Sequence, residues 1–148
     1  MKINKDKYVV GMALRTSNEE AEKTIPAHWQ RFQASSTYKQ ITNRISDDIY
    51  AVYTNYEGDH TKPYTLIIGF EVSSLDNIPP GFVGVTIPAS RYEVYSAKEG
   101  AIPPVYQTWK KIWKTPLRRT YKADFELYRA DLKTQVPPEV LIYIGVEG

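Results

Sequence analysis

The sequence predicts an α+β fold in which a β-α-β-β order occurs twice, the two copies related by pseudo-twofold symmetry. Three observations carry this reading. Strand-like alternation and helix-like spacing follow the same succession in each half of the 148 residues. Short stretches answer one another across the halves: Trp29 and Phe32 correspond to Trp109 and Ile112, DIYAVY to DFELY, and TLIIG to VLIYIG. The join between the halves, SLDNIPPG at 74–81, is too short for a free tether, so the copies cross tightly within one domain spanning 1–148. Module one covers about 7–73 and module two about 82–147, and such a repeat predicts a groove where the copies meet.

The first strand is KYVVGMALR at 7–15, with Val9, Gly11 and Ala13 on one face and Tyr8, Val10, Met12 and Leu14 on the other. Ser17 followed by Glu20 reads as a capping box opening a helix. Ala21, Ile25, His28, Trp29 and Phe32 recur at helical spacing, but Pro26 removes a backbone donor. A short helical segment, a break at 24–26 and a second segment to about Gln33 are therefore expected. IYAVYTNY and YTLIIGFEV follow as strands around the loop EGDHTKP. In the second half GVTIPASRYEVYSA is strand-like with a bend at Pro88. A helix covers about 103–114, with Val105, Trp109 and Ile112 or Trp113 on its apolar side, and ADFELYRA and EVLIYIGV close the unit.

Composition excludes several function classes. A net charge of +2 with 24% charged residues is too modest a basic balance to imply nucleic-acid binding, and no recognition module for DNA or RNA is visible. The basic cluster Lys110, Lys111, Lys114, Arg118, Arg119 and Lys122 reads as a solvated face at a helix C-terminus. No apolar run suffices to span a bilayer and no secretory signal is recognisable, so no membrane association and a cytoplasmic location are expected. Without cysteine, and with only His28 and His60, neither a disulfide framework nor a metal cluster is expected; no cofactor is implied. There is no glycine-rich phosphate loop and no HExxH. No catalytic residues are assigned. The enzymatic alternative is Glu126 as general base, alone or near Glu71, Glu93 or Asp124.

The aromatic inventory says more. Twelve Tyr and three Trp stand beside four Phe, so most rings carry a polar edge. Within KADFELYRAD, Glu126 shares a strand face with Tyr128, while Phe125 and Leu127 share the other. If the Phe and Leu face meets the helices, Glu126 points to the opposite side. Either that face is solvated or Glu126 is paired with an internal Arg or Lys, or it lines a cavity rimmed by rings with no resident cation. In the second case the desolvated carboxylate favours flat or bulky lipophilic cations that stack on the rings. Tyr50, Tyr92, Tyr106, Trp109, Tyr128 and Tyr143 are the rings that could reach that space.

IPAHWQRF, VTIPASRYEVY, YQTWKKIW, DFELY and LIYIGV, in this order from about Tyr8 to Val146, resemble the gyrase-inhibitory-protein-like superfamily. That superfamily also supplies the effector-binding domains of bacterial transcription regulators, and the layout is similar to free-standing members from mobile integron cassettes that bind cationic drugs. The resemblance implies duplicated β-α-β-β modules forming a curved antiparallel sheet with helices packed against it, and a ligand groove at the module junction. It implies that Glu126 meets cationic ligands, with Tyr128 and Trp109 beside it. Ser90 departs from the glycine frequent after I-P-A in the family, which alters the bend before Arg91 and Tyr92. The expected partners are small organic cations, or alternatively a bacterial regulator or gyrase bound through a protein-interaction surface; some members of the superfamily resemble small hydrolases, which implies Glu126 as general base for the enzymatic alternative.

Overall fold

The computed structural model describes residues 2–35, 37–59, 61–97, 105–130 and 139–147. In chain order these form β1 (Lys2–Ile3), β2 (Lys7–Thr16), α1 (Ala21–Ala34), α2 (Thr37–Gln40), β3 (Arg44–Thr54), β4 (Tyr64–Val72), β5 (Val83–Ile87), β6 (Ser90–Ala97), α3 (Val105–Lys114), β7 (Arg119–Tyr128) and β8 (Val140–Val146). The β-α-β-β succession is present twice, as β2-α1-β3-β4 and β6-α3-β7-β8. The short β1 and α2 have no strong sequence signal. His60 and the expected helix start at 103 lie outside the described residues.

Two expectations about α1 are corrected. The helix runs unbroken through Pro26, and it begins at Ala21 with no side-chain cap, the Glu20 amide bonding instead to the Ser17 carbonyl at 3.1 Å. Pro26 forfeits only the bond its amide would have made to the Glu22 carbonyl, and both residues are exposed, so water can take that carbonyl.

All eight strands form one antiparallel sheet in the order β1-β6-β8-β7-β3-β4-β2-β5, with β3 and β7 joining the two modules at its centre. β5 and β6 stand six positions apart in that order, yet only Pro88 and Ala89 connect them. A flat sheet would separate them by roughly 29 Å, at about 4.8 Å per strand, whereas the link reaches about 11 Å. The sheet must therefore curl. A glycine pair assists: Gly11 opposes Gly69, and a Cβ on either would lie 2.2 or 2.0 Å from a backbone oxygen of the neighbouring strand.

The curl creates two unlike faces. Val9, Tyr50, Val52, Ile67, Ile87, Tyr92 and Phe125 form a buried cluster that contains no helical residue, so the sheet buries it by closing over it. The other face carries Val10, Ala51, Tyr53, Leu66, Ile68, Phe70, Ile142 and Ile144, and it is covered by Phe32 of α1 and Trp109 and Ile112 of α3. Glu126 belongs to this helix-covered face. The premise that Phe125 and Leu127 meet the helices is thereby reversed: Phe125 instead stacks on Tyr143 at 4.4 Å inside the curl.

Candidate functional site

The register of the central pair places the site. Ala51 opposes Glu126, and Tyr53 and Tyr128 each follow two residues later on their own strands, which run in opposite directions. Both tyrosines therefore flank the carboxylate on its own face, one from each module. Tyr53 donates its hydroxyl to Glu126 Oε2 at 2.8 Å and Tyr128 donates to Oε1 at 2.6 Å. From α3 above, Trp109 donates its indole N–H to Oε2 at 2.6 Å.

Glu126 is 2% exposed and takes part in none of the salt bridges among the described residues. Burial pushes its pKa up, and the hydrogen bonds from Tyr128, Trp109 and Tyr53 only partly counteract that rise. The two tyrosines are themselves held well above their ordinary pKa, first by burial and then by the Glu126 charge, so they remain neutral donors. The result is a buried carboxyl group held by neutral dipoles, with no cationic side chain paired to it among the described residues.

Beside it lies a cavity of about 380 Å³ between the sheet and the two longer helices. One wall is the face of α1 bearing Ala21, Ile25 and Trp29, and the other is Val105, Tyr106, Trp109 and Trp113 of α3. Tyr53, Tyr64, Tyr56 and Tyr128 form the floor, with Glu126 set into it. The rings brace one another: Trp29 meets Tyr128 edge-on at 4.9 Å, Trp109 meets Tyr53 at 5.1 Å, and Tyr53 meets Tyr64 at 5.4 Å.

A second carboxylate is buried two residues before Glu126 on the same strand. Asp124, completely buried, receives Arg119 Nη2 at 2.7 Å, the Gly145 amide at 2.8 Å and the Tyr56 hydroxyl. Arg119 reaches it because β7 bulges between residues 119 and 124, with Tyr121 in the left-handed region at φ 53°. The internal guanidinium thus satisfies Asp124 and leaves Glu126 unpaired. Arg119 is accordingly not part of the solvated basic face: its side chain is 5% exposed, while Lys110, Lys111, Lys114, Arg118 and Lys122 are exposed.

Of the residues singled out in the sequence, Glu126, Tyr128, Trp109 and Tyr106 line the cavity. Tyr50, Tyr92 and Tyr143 do not. They lie on the inner face of the curl around Phe125, at ring separations of 5.6, 5.7 and 4.4 Å. Glu71 is also on that face, bonded to Tyr50 and to Lys7, so it does not pair with Glu126. Asp124 shares the face of Glu126 but is taken up by Arg119.

Sequence reasoning missed Tyr53, Tyr56, Tyr64, Trp29, Trp113 and Arg119. The signal for Tyr53 was present: aligning the tyrosines of DIYAVY and DFELY sets Tyr53 against Tyr128. Tyr50 stands three residues from Tyr53, an odd separation that puts it on the opposite face.

Residues 3–146 match the family described as integron-associated effector binding protein. YobU of Bacillus subtilis (strain 168), whose name makes it a candidate transcriptional regulator, is 31% identical over 95% of this chain and 92% of its own. Among solved structures, the integron cassette protein VCH_CASS2 from the mobile metagenome of Vibrio cholerae superposes with a TM-score of 0.76 at 27% identity, covering 99% of this chain and 94% of that one. SAV2435, solved bound to tetraphenylphosphonium, gives a TM-score of 0.78 at 20% identity, covering 99% and 92% of the two chains. With nearly the whole chain matched and the curled duplicated sheet in place, the protein belongs to the integron-associated effector binding proteins, on the gyrase-inhibitory-protein-like fold.

Proposed function

We propose that this protein binds lipophilic or amphiphilic organic cations in the cavity between the sheet and helices α1 and α3. The observation that carries the proposal is Glu126: a carboxylate 2% exposed, held by neutral donors from Tyr53, Trp109 and Tyr128, beside an aromatic hollow. A buried anion without a counter-charge is costly, and an incoming cation relieves that cost while its apolar groups cover rings. A neutral ligand of equal size gains only the stacking. The relative SAV2435, bound to the lipophilic cation tetraphenylphosphonium, supports the same reading.

The arrangement favours an electrostatic anchor over a general base. Oε2 already accepts two hydrogen bonds and Oε1 accepts one, so three of the carboxylate's roughly four acceptor sites are occupied by side-chain donors that fix its orientation. The test is a calorimetric or fluorescence titration with a lipophilic cationic dye and a neutral dye of similar size, on the intact protein and on Glu126→Gln. Cation-selective binding that collapses in the variant is expected. Equal affinity for both dyes, unchanged by the substitution, would reject the proposal.

A further inference from the structure

We propose that the preferred ligands are elongated dications, with one charge seated at Glu126 and the second held at the cavity mouth by the carboxylate of Glu22. The inference rests on the cation-binding reading of the same cavity and names the class of cation it takes.

Tyrosines apart, the ionisable side chains that line the cavity are Glu22, Arg119 and Glu126. Arg119 is ion-paired to Asp124 at 2.7 Å, and neither Glu22 nor Glu126 enters a salt bridge among the described residues. The lining therefore offers two carboxylates beside one guanidinium that already has its counter-charge. Their settings differ. Glu126 is 2% exposed in the floor, whereas Glu22 is exposed on the first turn of α1 and so is open to a group arriving from solvent. The Glu22 carbonyl also lacks the donor four residues on, because Pro26, another lining residue, has no amide N–H.

The α3 side of the cavity carries the opposite sign. There Lys110 holds its ammonium 4.7 Å from the ring centroid of Tyr106, a lining residue that is 46% exposed. A second cation is repelled from that side and drawn to the α1 side. Helix geometry sets the length. Glu22 stands seven residues before Trp29, about 10 Å along the axis of α1. Trp29 meets Tyr128 at 4.9 Å and Tyr128 bonds to Glu126, so the floor carboxylate lies toward the Trp29 end of this wall. A ligand reaching both acids carries its charges on the order of 10 Å apart, joined by an apolar body that covers Ile25, Trp29 and Trp109. A carboxylate in a first helical turn also stabilises the helix through its dipole, so stability is not diagnostic and the test reads ligand charge instead.

The test compares 4,4′-bis(trimethylammoniomethyl)biphenyl with the monocation in which neopentyl replaces one trimethylammoniomethyl group, carbon standing for nitrogen in the same shape. Calorimetry is run at about 0.1 M salt, where exposed charges more than about 10 Å apart are largely screened. The proteins are the parent, Glu22→Gln and Glu19→Gln, the last removing an exposed acid outside the cavity lining. Glu22→Gln is expected to weaken the dication about threefold, the scale of one exposed ion pair, and to leave the monocation within about 1.5-fold. Glu19→Gln should leave both ligands unchanged. Binding of the monocation alone, no selective loss of the dication in Glu22→Gln, or an equal selective loss in Glu19→Gln overturns the inference and leaves cation binding standing. Failure of both ligands to bind overturns the two together.

Discussion

Replacing Glu126 by Gln should weaken cation binding by about two orders of magnitude and leave the fold as stable as before. A cation docking about 4 Å from the carboxylate gains roughly 4 kcal/mol at an effective dielectric of 20, and some of this is offset by its own desolvation. About 2–3 kcal/mol of net affinity is therefore at stake, at 1.4 kcal/mol per tenfold change. Stability behaves differently. The buried charge costs several kcal/mol, which its donors from Tyr53, Trp109 and Tyr128 balance only approximately. In the glutamine the amide oxygen can keep Trp109 and Tyr53, and the amide nitrogen can donate to Tyr128 once that hydroxyl rotates. Chemical denaturation of the ligand-free variant is expected to fall within about 1 kcal/mol of the parent. Titration with a quaternary ammonium or phosphonium probe reads the affinity. A variant that loses several kcal/mol of stability yet retains its cation affinity would refute the reasoning, because Glu126 would then be a structural member and not an anchor.

Further outcomes follow from the same geometry. Because the folded pKa of Glu126 lies above its ordinary 4.5, the folded state holds this proton more tightly than the unfolded chain; the group's destabilising effect sets in as pH rises through 4.5 and is complete above the raised pKa. Affinity for a permanent cation runs the other way, falling as pH drops through that raised value, and Glu126→Gln should abolish the dependence in a titration series. Asp124→Asn leaves the Arg119 guanidinium buried without its counter-charge and should cost about 3–5 kcal/mol in urea unfolding; a loss below about 1 kcal/mol would show the pair to be dispensable. Gly69→Ala sets a Cβ 2.0 Å from the Val10 carbonyl oxygen, so β2 and β4 must separate; a thermal midpoint lower by several degrees is expected, and an unchanged midpoint would mean that the curl does not depend on this approach.

The sequence exposed the periodic features and hid the irregular ones. The duplicated succession was legible because it repeats in hydrophobic period, and Glu126 stood out because a carboxylate interrupts an aromatic strand. Which side of the sheet the helices cover was not legible: Phe125 and Glu126 are both buried, at 1% and 2% exposure, so alternation gives two faces without naming them. The curl decides it, through a two-residue link between β5 and β6 that only the complete strand order makes meaningful. Tyr50, Tyr92 and Tyr143 were placed beside Glu126 because both faces are rich in rings. Arg119 was obscured by the bulge, since Tyr121 in the left-handed region is not a glycine and its residue type gives no cue.

The duplication also bears on why the cavity floor carries one acid. β3 and β7 meet at the module boundary, with Ala51 directly opposite Glu126 and the tyrosines Tyr53 and Tyr128 disposed on either side. A second carboxylate at position 51 would stand about 5 Å from the first, in a pocket where even one is pushed toward protonation. Two such groups would share a proton, and the pair would present little more negative charge than a single glutamate. It would also fill space beside the cavity floor, where Ala51 is completely buried. Two modules therefore supply ring walls and hydroxyl donors in pairs, while the buried carboxylate among the cavity-lining residues comes from one of them. That asymmetry leaves one buried carboxylate at the seam, where the cavity between α1 and α3 presents aromatic faces from both halves and the exposed Glu22 adds a carboxylate from the first.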